Sequence, residues 1–239
     1  MDGAGQQETH MAITATRLGL AGAVLLGTAA LVSAHGDVAP QPVDTGTLPE
    51  VGEEWLLENP YRGMGDDVMA EAIEIGASGY SQNCARCHGL GAVSGGLAPD
   101  LRYLEAEEYG DEWYAERFRN GYTQGGATKM PAFEEVLTQE AAWAIRTYVE
   151  TRPDDAAVTA ASGDLKAIRD ELQAAAGGGA LDEAVTKARL EEIAGGIETL
   201  SGSPMSDSVA HRAAALLDGT SASYERAAEV LTVGLSAAQ

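Results

Sequence analysis

The residues with the most chemistry to offer are Cys84-Ala85-Arg86-Cys87-His88. Two thiols one helical turn apart reach the two vinyl groups on one edge of a haem, and the adjacent imidazole then lies beneath the iron. C-x-x-C-H is the attachment spacing for a c-type haem. One covalent haem c is therefore expected, bonded to Cys84 and Cys87 with His88 as proximal ligand. Other uses of the cysteines fit less well. A redox-active C-x-x-C needs a βαβ setting, and no strand pattern precedes Cys84. A zinc site needs two further ligands, whereas the other histidines are His10, His35 and His211, all distant along the chain.

A six-coordinate iron requires another axial ligand, and a thioether there favours a high potential. After His88 the chain offers only Met130 and Met205. Met130 stands 42 residues past His88 and precedes Pro131, which stiffens the loop carrying the sulfur. Met130 is the expected ligand, against the plainer reading of a methionine that fills a core gap. Met205 would have to reach in from the C-terminal region. Arg102 and Tyr103 suit a haem propionate, but an ordinary surface ion pair explains Arg102 equally well. Trp113 and Trp143 read as core aromatics before they read as function.

Helices must hold these groups. Val68, Ala72, Ile75 and Gly79 recur at helical spacing, so residues 66–82 form a helix running into Cys84. The glycine-rich segment GLGAVSGGLAPD follows as a loop through Pro99. A short helix is expected over 111–120, stopped by Gly121, and a further loop then leads to Met130. Thr138 caps a last helix that ends before Pro153. Residues 35–65 contain Pro40, Pro42, Pro49 and Pro60 and read as an extended leader. Residues 154–239 have one aromatic, Tyr224, and apolar positions at helical spacing. Breaks at Gly177-Gly178-Gly179, Ser201-Gly202-Ser203-Pro204 and Gly219 divide them into about four helices, an Ala-rich extension of unknown purpose. The fold class is all-α.

Composition narrows the function. The 239 residues carry 37 acidic and 15 basic side chains, a formal net charge of −22. Nucleic acid is excluded as a partner, because phosphate contacts need clustered Lys and Arg. An acidic surface can instead steer a basic partner. Aromatics make up only 5% of residues, so the core is expected to be built from small side chains or completed by a non-protein group. Arg17, the apolar run Leu18 to Val32 and Val32-Ser33-Ala34 read as a signal peptide over 1–34, cleaved after Ala34. Export to the periplasm, with no stable membrane insertion after cleavage, follows from that reading. Whether translation starts at Met1 or Met11 is left open.

Residues 66–153 resemble a class I monohaem cytochrome c domain. The likeness rests on Gly76, Tyr80, CARCHG, Ala98-Pro99-Asp100-Leu101, Met130-Pro131-Ala132-Phe133 and Ile145 to Tyr148. It implies a cytochrome c fold around one haem, with helices crossing at Gly76, Tyr80 and Tyr148, and a Pro99 carbonyl that accepts the His88 imidazole proton. A narrower likeness covers HGDVAPQPVDTGTLP, GEEW, ENPYRG, NCARCHGLGAVSGGLAPDLRYL and GDEWYAERFRNG, from about His35 to Arg152. Those segments are similar to PedF-type cytochromes c, which accept electrons from quinoprotein (PQQ-dependent) alcohol dehydrogenases. The resemblance implies such a dehydrogenase as electron donor, and a terminal oxidase or another cytochrome as acceptor. The chain departs from that pattern after Pro153. No nucleophile–base pair or substrate pocket suggests an enzyme. The rival readings are a haem sensor or small haem enzyme with a displaceable Met130, and an assembly protein built on the extension.

Overall fold

Asp66 and Asp67 open the first helix, α1 (Asp66–Asn83), where carboxylates favour the free N–H groups of the first turn. The computed structural model describes residues 39–237; the signal-peptide reading of 1–34 lies outside the described residues. After α1 come α2 (Ala85–His88), α3 (Glu108–Asn120) and α4 (Gln139–Glu150). The Thr138 hydroxyl caps α4 by accepting the Ala141 N–H at 3.3 Å.

α1 and α4 cross with their backbones almost touching. A Cβ at Gly76 would lie 1.9 Å from the Ala144 carbonyl oxygen, so only hydrogen fits there. Beside the crossing, the Tyr80 and Tyr148 rings pack at 5.2 Å between centroids. Tyr61, Tyr80, Tyr114, Phe118, Phe133 and Trp143 are all buried in this one core. Of the two expectations for the core, the one of small side chains alone does not hold for this half of the molecule. The scarce aromatics are concentrated around α1, α3 and α4, and the small residues predominate elsewhere.

The stretch before α1 lies extended along these helices, with a 3-10 turn at Pro60–Gly63. Side chains of the helices satisfy its backbone. The Gln41 N–H donates to Asn83 Oδ1 at 2.7 Å, Leu56 to Gln139 Oε1 at 2.7 Å, and Asn59 to Asp111 Oδ2 at 2.8 Å. Below the turn is a buried ionic cluster. Arg62 bridges Asp111 and Glu150 at 2.9 and 2.8 Å, and the fully buried Arg146 holds Asp111 at 2.8 Å. Two cations face two carboxylates, and such a set is tolerable in a core only because each charge has a partner.

Between α3 and α4 the structure has a feature the sequence reading missed. Where a loop was expected, β1 (Tyr122–Gln124) and β2 (Ala127–Met130) form an antiparallel hairpin around Gly125-Gly126. A Gly-Gly pair between short polar and β-branched runs is a hairpin signal. α3 also starts three residues earlier than expected, at Glu108.

The remaining helices are α5 (Asp155–Ala176), α6 (Glu183–Gly196), α7 (Val209–Leu216) and α8 (Ser221–Ala237). Asp154, Asp182 and Ser208 cap the first three with their side chains. Leu165, Ile168, Leu172, Leu190 and Leu231 form a second hydrophobic core, so these helices make a packed bundle. Pro40 onward is one compact unit. The join is made by backbone and charge. Asp154 N–H donates to Glu198 O, Asp207 N–H to Thr151 O, and Ala106 N–H to Ser201 O, each at 2.9 Å. Arg152 meets Asp207 at 2.5 Å, and Met205 packs against the first core. Among the described residues, no helix is long and apolar enough to cross a membrane.

Candidate haem site

Cys84 ends α1, and its N–H donates to the Tyr80 carbonyl at 2.8 Å. The chain then turns into α2, where the Cys87 and His88 N–H groups both donate to the Cys84 carbonyl, at 3.1 and 3.0 Å. One short helical turn therefore sets the spacing of both sulfurs and the imidazole. The Tyr80 hydroxyl fixes the exit of this turn by donating to the Gly89 carbonyl at 2.8 Å. His88 Nδ1 lies 2.9 Å from the Pro99 carbonyl oxygen. With Nδ1 donating there, Nε2 is the nitrogen left for an iron, the orientation that outer partners impose on histidine ligands.

Burial pushes the Cys84 thiol up to about 12, with a further contribution from Cys87. A thiolate is disfavoured at that position, whereas a thioether is neutral and fits it. Leu90, Val93 and Leu97, in the loop after His88, stand exposed and offer apolar surface beside the imidazole. Among the described residues, no group of three or more His, Cys, Asp or Glu side chains is placed to hold a metal ion. The donor set of one imidazole, two cysteine sulfurs and a methionine suits a c-type haem.

Met130 ends β2, opposite Tyr122, and packs against the same core as Cys84. Gly121 positions it. Its φ is +67°, and a Cβ there would come within 2.4 Å of the Met130 carbonyl oxygen. The sequence reading gave Gly121 only the task of stopping α3. Met205 touches this core as well, from the C-terminal bundle.

The loop at Pro99 is held by a clasp that the sequence reading did not find. Arg102 grips Asp100 bidentately, Nε to Oδ1 at 3.1 Å and Nη2 to Oδ2 at 2.9 Å. Its third arm, Nη1, donates to Asp155 Oδ2 at 2.8 Å. Burial works to raise the Asp100 carboxyl, but hydrogen bonds and charge from Arg102 outweigh it and hold it below the usual carboxylate range. Arg102 itself is buried, so a propionate would have to compete with two carboxylates for it. A signal existed: Asp100 is two residues before Arg102 and caps the 3-10 turn Leu101–Tyr103. Trp143 is wholly buried, and half-exposed Trp113 stacks under Arg117.

A family profile described as cytochrome C oxidase, cbb3-type, subunit III, matches residues 71–149. Cytochrome c550 of Pseudomonas aeruginosa is 53% identical over 129 residues, which are 53% of this chain and 86% of that protein. The chain belongs to the cytochrome c family. It is a c550-like electron-transfer cytochrome, and its cofactor is covalently bound haem c. Two quinohemoprotein alcohol dehydrogenases of Pseudomonas putida, ADH-IIG and ADH IIB, are 37% and 36% identical over 84 residues. This cytochrome spans 11% of each of them and commits 35% and 34% of its own length to the matches. No solved structure matches the chain.

Proposed function

We propose that this cytochrome is a periplasmic electron carrier, reduced by a quinoprotein alcohol dehydrogenase and oxidised by a respiratory oxidase or another cytochrome. The observation that carries the reading is His88, committed through Nδ1 to Pro99, beside Cys84 and Cys87 on one helical turn. In this reading Cys84 and Cys87 would form the thioethers, and His88 and Met130 would hold the iron. Pro99 orients the imidazole, and Arg102 braces the Pro99 loop.

Bound haem supplies one-electron chemistry at iron, and the protein sets its potential, orientation and access. The residues named here have no bond to make or break during turnover. Their task would be to hold the His88 imidazole and the Met130 sulfur in place whether the bound haem is oxidised or reduced. We read the protein as a carrier and not an enzyme for that reason.

The dehydrogenase as donor is supported by the likeness to the cytochrome portions of the Pseudomonas putida dehydrogenases. Residues 154–239 hold 14 acidic and 6 basic side chains, so most of the acidic excess lies before them. Steering of a basic partner should therefore depend mainly on the haem-bearing part. Stopped-flow reduction by candidate quinoprotein dehydrogenases, each with its own alcohol, tests the assignment. The expected result is fast reduction by one of them, slowing several-fold from low to physiological salt as screening sets in over ~8–10 Å. Reduction by none would remove the dehydrogenase, and a rate flat with salt would remove the steering.

A further inference from the structure

We infer that Asp155, the first residue of the C-terminal bundle's leading helix, is a positioning residue for the haem, acting through Arg102, Asp100 and Pro99 on His88. The inference rests on the proposed ligation by His88. Each link is a contact. Asp155 accepts from Arg102 Nη1 at 2.8 Å. Arg102 closes on both oxygens of Asp100, and its backbone N–H donates to Asp100 Oδ1 at 3.1 Å. Asp100 shares a peptide unit with the Pro99 carbonyl, which lies 2.9 Å from His88 Nδ1.

The geometry makes this more than a surface pair. The Arg102 side chain is 8% exposed and its Asp100 partner 18%, whereas Asp155 is 55% exposed. A planar guanidinium held at three nitrogens has one orientation, and its buried part faces the haem loop. Asp155 is fixed in turn, because it follows Asp154, whose side chain caps α5 and whose N–H is tied to Glu198. The bundle thus places a carboxylate against the guanidinium that clasps the Pro99 loop by charge. A histidine ligand becomes more basic as its second nitrogen donates a stronger hydrogen bond, which favours the oxidised metal. Loss of Asp155 removes a negative charge and loosens that bond, and both changes raise the potential.

The test compares Asp155→Ala, Asp155→Asn and Asp155→Glu in the full-length holoprotein. Asp155→Ala is expected to shift the equilibrium with a fixed one-electron partner toward the reduced cytochrome by ~3-fold, or ~28 mV at 59 mV per tenfold. Asp155→Asn, which keeps an acceptor without the charge, should shift it less, and Asp155→Glu should restore it. Proton NMR of the reduced protein gives a readout that a structural role alone would not move. The His88 Nδ1–H should exchange several-fold faster in Asp155→Ala than in wild type. Helicity by circular dichroism checks that α5 persists, and if it does not, Arg102→Lys tests the same clasp from within the haem loop. Unchanged potential and unchanged exchange in these variants would overturn the inference. A spectrum of the oxidised wild-type protein in which His88 bears no paramagnetically shifted signals would instead overturn the ligation on which it rests.

Discussion

Met130→Ala is expected to keep its haem on a denaturing gel while losing the near-infrared sulfur-to-iron band of the oxidised protein. In the proposed ligation the thioethers and the Met130 bond would be independent, since Cys84 and Cys87 lie on the α1–α2 turn and Met130 lies at the end of β2. The sulfur sits where it does because Gly121 lets the Met130–Ala132 backbone approach within a distance that a side chain would forbid. On the proposed ligation, removing the thioether would leave this backbone intact and take away one of the two iron ligands. The potential should fall on the order of 0.1–0.2 V, within the ~0.8 V over which axial ligands set haem potentials. Cyanide or carbon monoxide should then bind readily. Met205 contacts the same core, so Met205→Ala is the control and should leave band and potential in place. If Met205→Ala abolishes the band and Met130→Ala does not, the ligand is Met205.

The second large effect lies at the join between the two cores. Asp207 is bound by Arg152 at 2.5 Å and by Arg212 at 2.9 Å, and the Arg152–Asp207 pair is nearly buried, at 7% and 9% exposed. Asp207→Ala leaves the Arg152 guanidinium without a counter-charge, a change that ordinarily costs 3–5 kcal/mol. Arg152 keeps its stacking over Tyr148 at 4.0 Å and its bond to the Tyr148 carbonyl, so about 3 kcal/mol is expected. Asp207→Asn, which retains a hydrogen-bond acceptor, should cost less. Urea unfolding followed by circular dichroism and by haem absorbance checks both values. The C-terminal bundle should lose helicity at lower urea than the haem environment responds. An Asp207→Ala midpoint equal to wild type would show that the join does not depend on this pair.

Much of the haem-bearing half was legible because its determinants are local. C-x-x-C-H is a single helical turn, Thr138 is a cap beside its helix, and the periodicity from Val68 to Gly79 needs no partner to be read. The local arm of the clasp on Pro99, Asp100 with Arg102, was legible, but the outer arm was not, since Arg102 meets Asp155 across 53 positions and nothing in either neighbourhood announces the other. The same holds for Arg62, Asp111, Arg146 and Glu150, which look like ordinary surface charges until three separate segments bring them together. The hairpin before Met130 was missed for a different reason. Its strands are three and four residues long and almost wholly exposed, so they carry no apolar alternation to detect. In the C-terminal half the four helices could be counted from glycine breaks, but their joining to the first core rests on backbone bonds that no side chain encodes and on a pair, Arg152 and Asp207, that lie 55 positions apart.

The most direct test of the account is the state of Cys84 and Cys87 in protein matured in an exporting host with c-type haem assembly. Digestion and mass spectrometry should find the peptide containing Cys84 to His88 carrying one haem on both sulfurs, with haem stain persisting on a denaturing gel. Free or alkylatable thiols at both positions in a protein that is otherwise folded would contradict it.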